Sequence, residues 1–224
     1  MIIQLIAYRG TGKDTLYNNI TDPEHLGWKV YGPPQSKTLK IATAYRVAYA
    51  DKLKFIVCDL LKLDKVENPS SVHPLIKPTQ VMTSKEWVTG GHLDLLKDVS
   101  PEEINLSTLE NKSVRRWLID HGTYLKSIHG LNYFRDLIAD EVSQIYDTVI
   151  ITDTRYLYEM FPDTISVRLF RSDVPIPDIS EHSERSLDTY QCSYVFCKSD
   201  GDFRILAESQ PQYKEYVYLG PFTK

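Results

Sequence analysis

Short β-branched runs alternate along this chain with longer stretches in which apolar residues recur three or four apart. That alternation predicts strands separated by helices. Ile2-Ile3-Gln4-Leu5-Ile6 reads as a buried strand ended by a glycine turn. Lys13 to Ile20 follows as a helix, with Leu16 and Ile20 on one face. Arg46-Val47-Ala48-Tyr49-Ala50 is a second candidate strand. Asp51 is placed to cap the next helix, whose apolar stripe is Leu53, Ile56, Val57, Leu60 and Leu61. Ser113 opens another helix, with Val114, Trp117, Leu118 and Leu125 facing inward and Gly122 expected to interrupt it. A further helix is expected from Leu131 to Ile145. Thr148 to Asp153 then reads as a buried strand ending in a carboxylate, Ile165 to Phe170 as another, and Tyr194 to Cys197 as a last short one.

Two regions break the rhythm. Between Asp64 and Lys112, Pro69, Pro74 and Pro78 interrupt any long element, while Thr83 with Glu86 and Ser100 with Glu103 mark short helix starts. This segment reads as an inserted helical lobe on the substrate side. Arg171 to Asp188 is polar and proline-bearing, a loop or lid. The expected fold is therefore α/β: a mostly parallel sheet flanked by helices, in one domain. Its core would be about 1–63 and 113–210, with the lobe at 64–112 and the lid at 171–189.

The first strand and helix are joined by Ala7-Tyr8-Arg9-Gly10-Thr11-Gly12-Lys13. The spacing is that of the phosphate loop G-x-x-x-x-G-K-[ST], with Ala7 for the first glycine and Asp14 for the hydroxyl residue after the lysine. In such a loop successive backbone N–H groups curl around phosphate oxygens, and the helix N-terminus adds its dipole. Arg9, Gly10, Thr11, Gly12, Lys13, Asp14 and Thr15 are thus the candidate ATP-phosphate residues, with Arg171 of the lid beside them. Asp14, Thr15 and Asp153, at the end of its strand, are the candidates for holding Mg²⁺.

Composition narrows the partners. The chain has 224 residues, 26 basic and 30 acidic, for a formal net charge of −4. A duplex-DNA binder would show a basic excess, so a nucleic-acid partner is not expected. Cys58, Cys192 and Cys197 form no CxxC or disulfide pattern, which points to a reducing, intracellular setting. Cys192, Cys197 and His182 match no common zinc spacing. No run approaches the roughly 18 apolar residues of a membrane span.

A kinase also needs cations to hold its acceptor and neutralise the moving phosphoryl group. Lys54, Arg115, Arg116, Arg155 and Arg171 are candidates, although Arg116 with Asp120 and Arg155 with Glu159 are also spaced as helix-surface pairs. With "GTGKDT", "YADKLK", "SVRRWLIDHGTYL", "VIITDTRYLYEM" and "EHSERSLD…KSDG" in this order, the chain resembles the phage-type deoxynucleoside monophosphate kinases. The resemblance runs to about Leu206 and leaves the 64–112 lobe unmatched.

What it implies is a P-loop enzyme moving the γ-phosphoryl group of Mg·ATP to a dNMP, as a homodimer in the cytoplasm of an infected cell. Lys13, Arg116, Arg155 and Asp153 would be catalytic. Lys54, Arg115, Arg116, Gly122, Thr123, Phe134, Asp153, Arg155 and Glu159 would surround the acceptor nucleotide. Two other readings fit the same residues: a kinase for a modified pyrimidine nucleotide or a base in DNA, and a nucleotide-binding subunit without turnover.

Overall fold

The apolar runs assemble into a seven-stranded sheet in which β1 (Ile2–Ile6) and β7 (Ile165–Phe170) lie near the middle. The structure, a computed structural model, describes residues 1–20, 27–41, 44–50, 53, 81–82, 112–144 and 148–222. Two further strands of the parallel set are β3 (Ala44–Val47) and β6 (Thr148–Ile151), and β8 (Tyr194–Cys197) completes it. The spatial order is β3-β6-β1-β7-β8, continued by β2 (Lys29–Gly32) and β9 (Val217–Pro221). Neighbours from β3 to β8 run parallel, with Ile3 opposite Ile150 and Leu5 opposite Val167. β2 and β9 join antiparallel. The chain is thus α/β with a mostly parallel sheet, as the alternation of strand and helix patterns predicts.

Contacts divide the chain into two units, Met1–Ala48 with Ala139–Lys224, and Tyr49–Ile138. The first holds the large sheet. One of its faces is apolar: Ile3, Leu5, Val30, Ile150, Val167, Leu169 and Phe196 pack with Leu16 of α1 (Lys13–Ile20). Each such buried side chain contributes about 1.5–3 kcal/mol. On the other face Ile6, Tyr31, Phe170, Val195, Cys197 and Cys192 pack with Leu187, Leu206, Tyr213 and Tyr216. Both cysteines are free and sit among apolar neighbours as small core residues.

That second face also carries Gln4, Ser166 and Arg168, all buried. Gln4 lies opposite Ser166 and Ile6 opposite Arg168. The Gln4 amide donates to Thr154 Oγ1 (3.0 Å) and the Glu159 carbonyl (3.1 Å), and accepts from the Phe161 N–H (2.7 Å). Ser166 exchanges bonds with Ser193 of the next connection. Buried polar groups need such partners, because an unmade bond costs about 1–3 kcal/mol.

The second unit contains a short ladder of β4 (Val81–Met82) with β5 (Lys112–Ser113), then α2 (Val114–His129). α3 (Tyr133–Gln144) begins in this unit. The remainder of the expected 64–112 lobe, with its two capping boxes, and most of the helix after Asp51 lie outside the described residues.

Several boundaries differ from the sequence reading. Gly122 does not interrupt α2, which runs on to His129. It is buried, and a Cβ there would stand 3.2 Å from Leu53 Cδ2 and 3.8 Å from the Phe134 ring. The glycine therefore sits in close packing inside the helix, where a Cβ would make Leu53 shift by a few tenths of an ångström, and not at a break. Helix α2 ends instead at Gly130, whose φ of +99° closes the turn. The second strand stops at Val47, and Tyr49–Ala50 are helical. β6 ends at Ile151, so Asp153 sits in the connection beyond it.

β2, β9 and the helix α5 (Asp200–Ser209) are further elements of the fold. Ser199 caps α5 with a reciprocal pair of bonds: its Oγ accepts from Asp202 N–H (3.1 Å), and Asp202 accepts from Ser199 N–H (3.0 Å). Burial alone would raise the Asp202 carboxyl, but bonds from Ser172 and Ser199 outweigh it and hold it below the usual carboxylate range. Among the described residues no helix is long and apolar enough to cross a membrane.

Candidate functional site

In a parallel sheet the connections leaving the C-terminal ends of adjacent strands emerge along one edge, where ligands of α/β proteins commonly bind. Here β6, β1 and β7 are adjacent and parallel, and the segments that follow them are, in that order, Thr152–Glu159, the glycine turn and Arg171–Asp188.

The glycine turn is built as its sequence suggests. Gly10 and Gly12 have φ of +84° and +99°, conformations an L side chain rarely adopts. Thr11 is buried and its N–H reaches the Tyr8 carbonyl at 3.3 Å, while Leu16 N–H bonds the Gly12 carbonyl at 2.8 Å to start α1. Val174 of the following β7 connection lies 4.0 Å from where a Gly10 Cβ would stand. Thr15 is exposed in the first turn of α1.

Lys13 folds back over the turn and donates to the Ala7 and Tyr8 carbonyls at 3.0 and 3.2 Å. Burial, and then the nearby Arg155 guanidinium, push its ammonium below the ordinary lysine value. Glu184, Asp153 and Asp14 act in the opposite direction. Charged groups from three separate stretches of sequence thus act on one amine.

Around it the arrangement is specific. Asp14 pairs with Arg46 Nε of β3 at 3.1 Å, and Arg46 is the more buried partner. Arg155 donates through Nη1 to the nearly inaccessible Glu184 carboxylate. Glu159 is turned inward, and its Oε2 accepts from the Arg155 and Tyr156 N–H groups at 2.9 and 3.1 Å. This makes Glu159 the stay of its own turn. Arg171 forms an exposed pair with Asp173.

Residues 182–188 are fastened to this edge. Arg9 N–H donates to Glu184 Oε2 at 2.9 Å, Ser186 Oγ donates to the Arg155 carbonyl, and Tyr8 Oη donates to Asp188 at 2.8 Å. Burial and the Asp188 carboxylate together push the Tyr8 phenol up to about 12. The buried Arg168 guanidinium supports the segment from below, bonding the Leu187 carbonyl and Tyr213 Oη.

The remaining predicted residues belong to the second unit. Gly122 is buried, Thr123 exposed, and Phe134 is only 5% exposed, in edge contact with Tyr133 and with Lys126 Nζ 5.8 Å from its ring centroid. Arg115 and Arg116 lie in the first turn of α2, with side chains outside the described residues, as is Lys54. Glu184, Tyr8, Asp188 and Arg168 are contributors the sequence reading did not single out.

The two unusual glycines can be told apart experimentally. Gly12→Ala and Gly130→Ala each place a Cβ at φ of +99°. Each is expected to lower the thermal midpoint by about 2–8 °C. Only Gly12→Ala should also weaken ATP binding measured by calorimetry, since nothing lies within 4 Å of a Cβ at Gly130. Equal ATP affinity in the two variants would remove the glycine turn from the site.

Compared with protein-family models and with curated proteins, the chain finds no match.

Proposed function

We propose that this chain is a P-loop kinase that transfers the γ-phosphoryl group of Mg·ATP to a deoxynucleoside monophosphate, giving dNDP and ADP. The observation that carries the reading is a loop with two positive-φ glycines and Lys13 folded over it, tied through Glu184 to Arg155 at the C-terminal edge of adjacent parallel strands. Phosphoryl transfer asks a protein mainly for positioning and for cations around developing charge. Lys13 and Arg155 supply such cations on the ATP side. Arg116, by resemblance, supplies the acceptor side with Lys54, Arg115, Gly122, Thr123 and Phe134.

When bound with ATP, Mg²⁺ would supply positive charge against the phosphates. It is commonly held by one or two carboxylates together with phosphates and water, so a cluster of protein ligands is not required. Asp153 and the Thr15 hydroxyl fit that donor set. Asp14 is engaged with Arg46, and would join only by exchanging that partner. The same reading places the enzyme in deoxynucleotide biosynthesis, in the cytoplasm and as a homodimer.

ADP release from Mg·ATP, measured with each of the four dNMPs and with ribo and hydroxymethylated analogues, tests this reading. Turnover with at least one dNMP is expected, and Arg116→Ala should lower it by about 10²–10³-fold. Tight ATP binding without acceptor-stimulated ADP release would overturn the kinase reading in favour of a nucleotide-binding subunit.

A further inference from the structure

We propose that Glu184 is a positioning residue that couples the phosphate loop to Arg155, so that the loop and the arginine are set as one unit. The inference rests on the kinase reading for its activity arm, and on geometry for the rest. Glu184 lies in the short helix α4 (His182–Arg185), and its side chain is 2% exposed. Its two oxygens face two different elements. Oε1 accepts from Arg155 Nη1, in the connection after β6, while Oε2 accepts from the Arg9 N–H at 2.9 Å, in the turn after β1.

A second bond runs between the same pair of segments, since Ser186 Oγ donates to the Arg155 carbonyl. Arg155 is thereby held at its guanidinium and at its backbone by residues two apart. Tyr8 to Asp188, at 2.8 Å, ties the same short segment to the residue before Arg9. A buried carboxylate costs several kcal/mol to desolvate unless it is well paired. A purely structural tie between two loops could use a neutral side chain. The carboxylate suits a partner whose charge must be aimed, because a charge-assisted bond is shorter and stronger than a neutral one.

Two opposite consequences follow from one substitution. Glu184→Gln keeps the shape but loses the charge that aims Arg155, and its single acceptor oxygen can serve only one of the two donors. It also removes a negative charge from beside the loop where a polyphosphate would lie. Turnover should therefore fall while ground-state ATP binding tightens. A residue serving only to hold the fold would weaken both.

The experiment uses the full chain with Mg·ATP and the best dNMP. E184Q is expected to lower kcat by roughly 10–100-fold and to tighten ATP binding in calorimetry by about 3–10-fold. In an Arg155→Ala background E184Q should change kcat by less than about twofold, because its effect passes through Arg155. Unchanged kcat in E184Q, or multiplicative losses in the double variant, would overturn the inference. Should the wild type turn over no acceptor, the kinase reading falls, and the affinity arm alone decides: unchanged or weaker ATP binding in E184Q then overturns the coupling. If E184Q does not fold, Glu184→Asp is read in the same two assays. It keeps the charge but is one methylene too short to span both partners, and an unaltered kcat there is equally fatal.

Discussion

Replacing Lys13 with methionine is expected to raise the thermal midpoint and to lower phosphoryl transfer by about 10²–10³-fold or more. The two effects have one origin. The Lys13 ammonium is held in a site where burial and the Arg155 guanidinium disfavour its charged form. Its bonds to the Ala7 and Tyr8 carbonyls compensate in part, and carbonyls tolerate the loss of one partner better than N–H groups do. Methionine fills a similar volume without the charge, so each kcal/mol of relief should raise the midpoint by about 2–4 °C.

The pH dependence fixes the sign. A lysine whose folded-state pKa is depressed binds its proton less tightly in the folded than in the unfolded chain. Between those two values stability rises with pH, because the unfolded state carries more protons. The cost of the buried ammonium is fully present below the folded value and fades as pH climbs towards the ordinary lysine value. The advantage of Lys13→Met should thus be largest at neutral pH and shrink in alkali. Paired melting curves across that range check it. A variant that melts lower than wild type at neutral pH would sink the argument.

Arg168→Met is expected to be the most damaging single substitution away from the glycine turn, costing about 3–5 kcal/mol, or roughly 6–20 °C in midpoint. The guanidinium is 3% exposed and serves three partners: Tyr213 Oη at 3.1 Å, the Leu187 carbonyl, and the Asp188 carboxylate at 3.9 Å. Methionine would fill the space but leave those acceptors short of a donor. Asp188→Asn should cost less, since the amide oxygen can still accept from Tyr8 Oη and only the bond from Arg185 Nε to the other oxygen is lost. Because Leu187 and Asp188 lie three and four residues after Glu184, amide exchange in residues 182–188 should quicken along with the loss of stability. Urea denaturation of both variants is the direct measurement. A loss below about 1 kcal/mol for Arg168→Met would show that the network relaxes without it.

The parts of the fold legible in the sequence were those where period and composition agree. Ile165–Phe170 and Tyr194–Cys197 are strands over the expected residues, and Lys13–Ile20 is the expected helix. β2 and β9 escaped notice because each is short and ends in or contains glycine. Gly32 looks like a terminator, yet it lies within the strand, where a Cβ would come within 2.9 Å of the tip of Leu219, which would have to shift. Gly122 misled in the same way, since a glycine packed inside a helix looks identical in sequence to one that ends a helix.

The site shows a similar division. Its glycines, Lys13 and Asp153 announce themselves through spacing after apolar strands. Glu184 does not, because "EHSERSLD" offers several carboxylates and composition cannot say which one turns inward. A usable signal was present: Glu184 stands three residues before Leu187, the one apolar residue of that stretch, which is buried. Gln4, the lone polar residue of β1, and Arg168, the lone charged residue of β7, were also visible as side chains that must find partners on the core side.

Gln4 has a bearing on how the chain chooses among its own alternatives. The faces of β1 and β7 oppose a slip by one residue, which would turn Gln4, Ser166 or Arg168 into the wholly apolar face. They are nearly blind to a slip by two, which leaves every side chain on its own face. The amide of Gln4 is not blind to it. Its donor and acceptor meet Thr154, Glu159 and Phe161 in one alignment of β1 with its neighbours, and a two-residue slip would strand all of them. One polar side chain in the middle of "IIQLI" thus works as an index mark for the sheet, and it fixes the level at which Lys13, Asp153 and Glu184 come together.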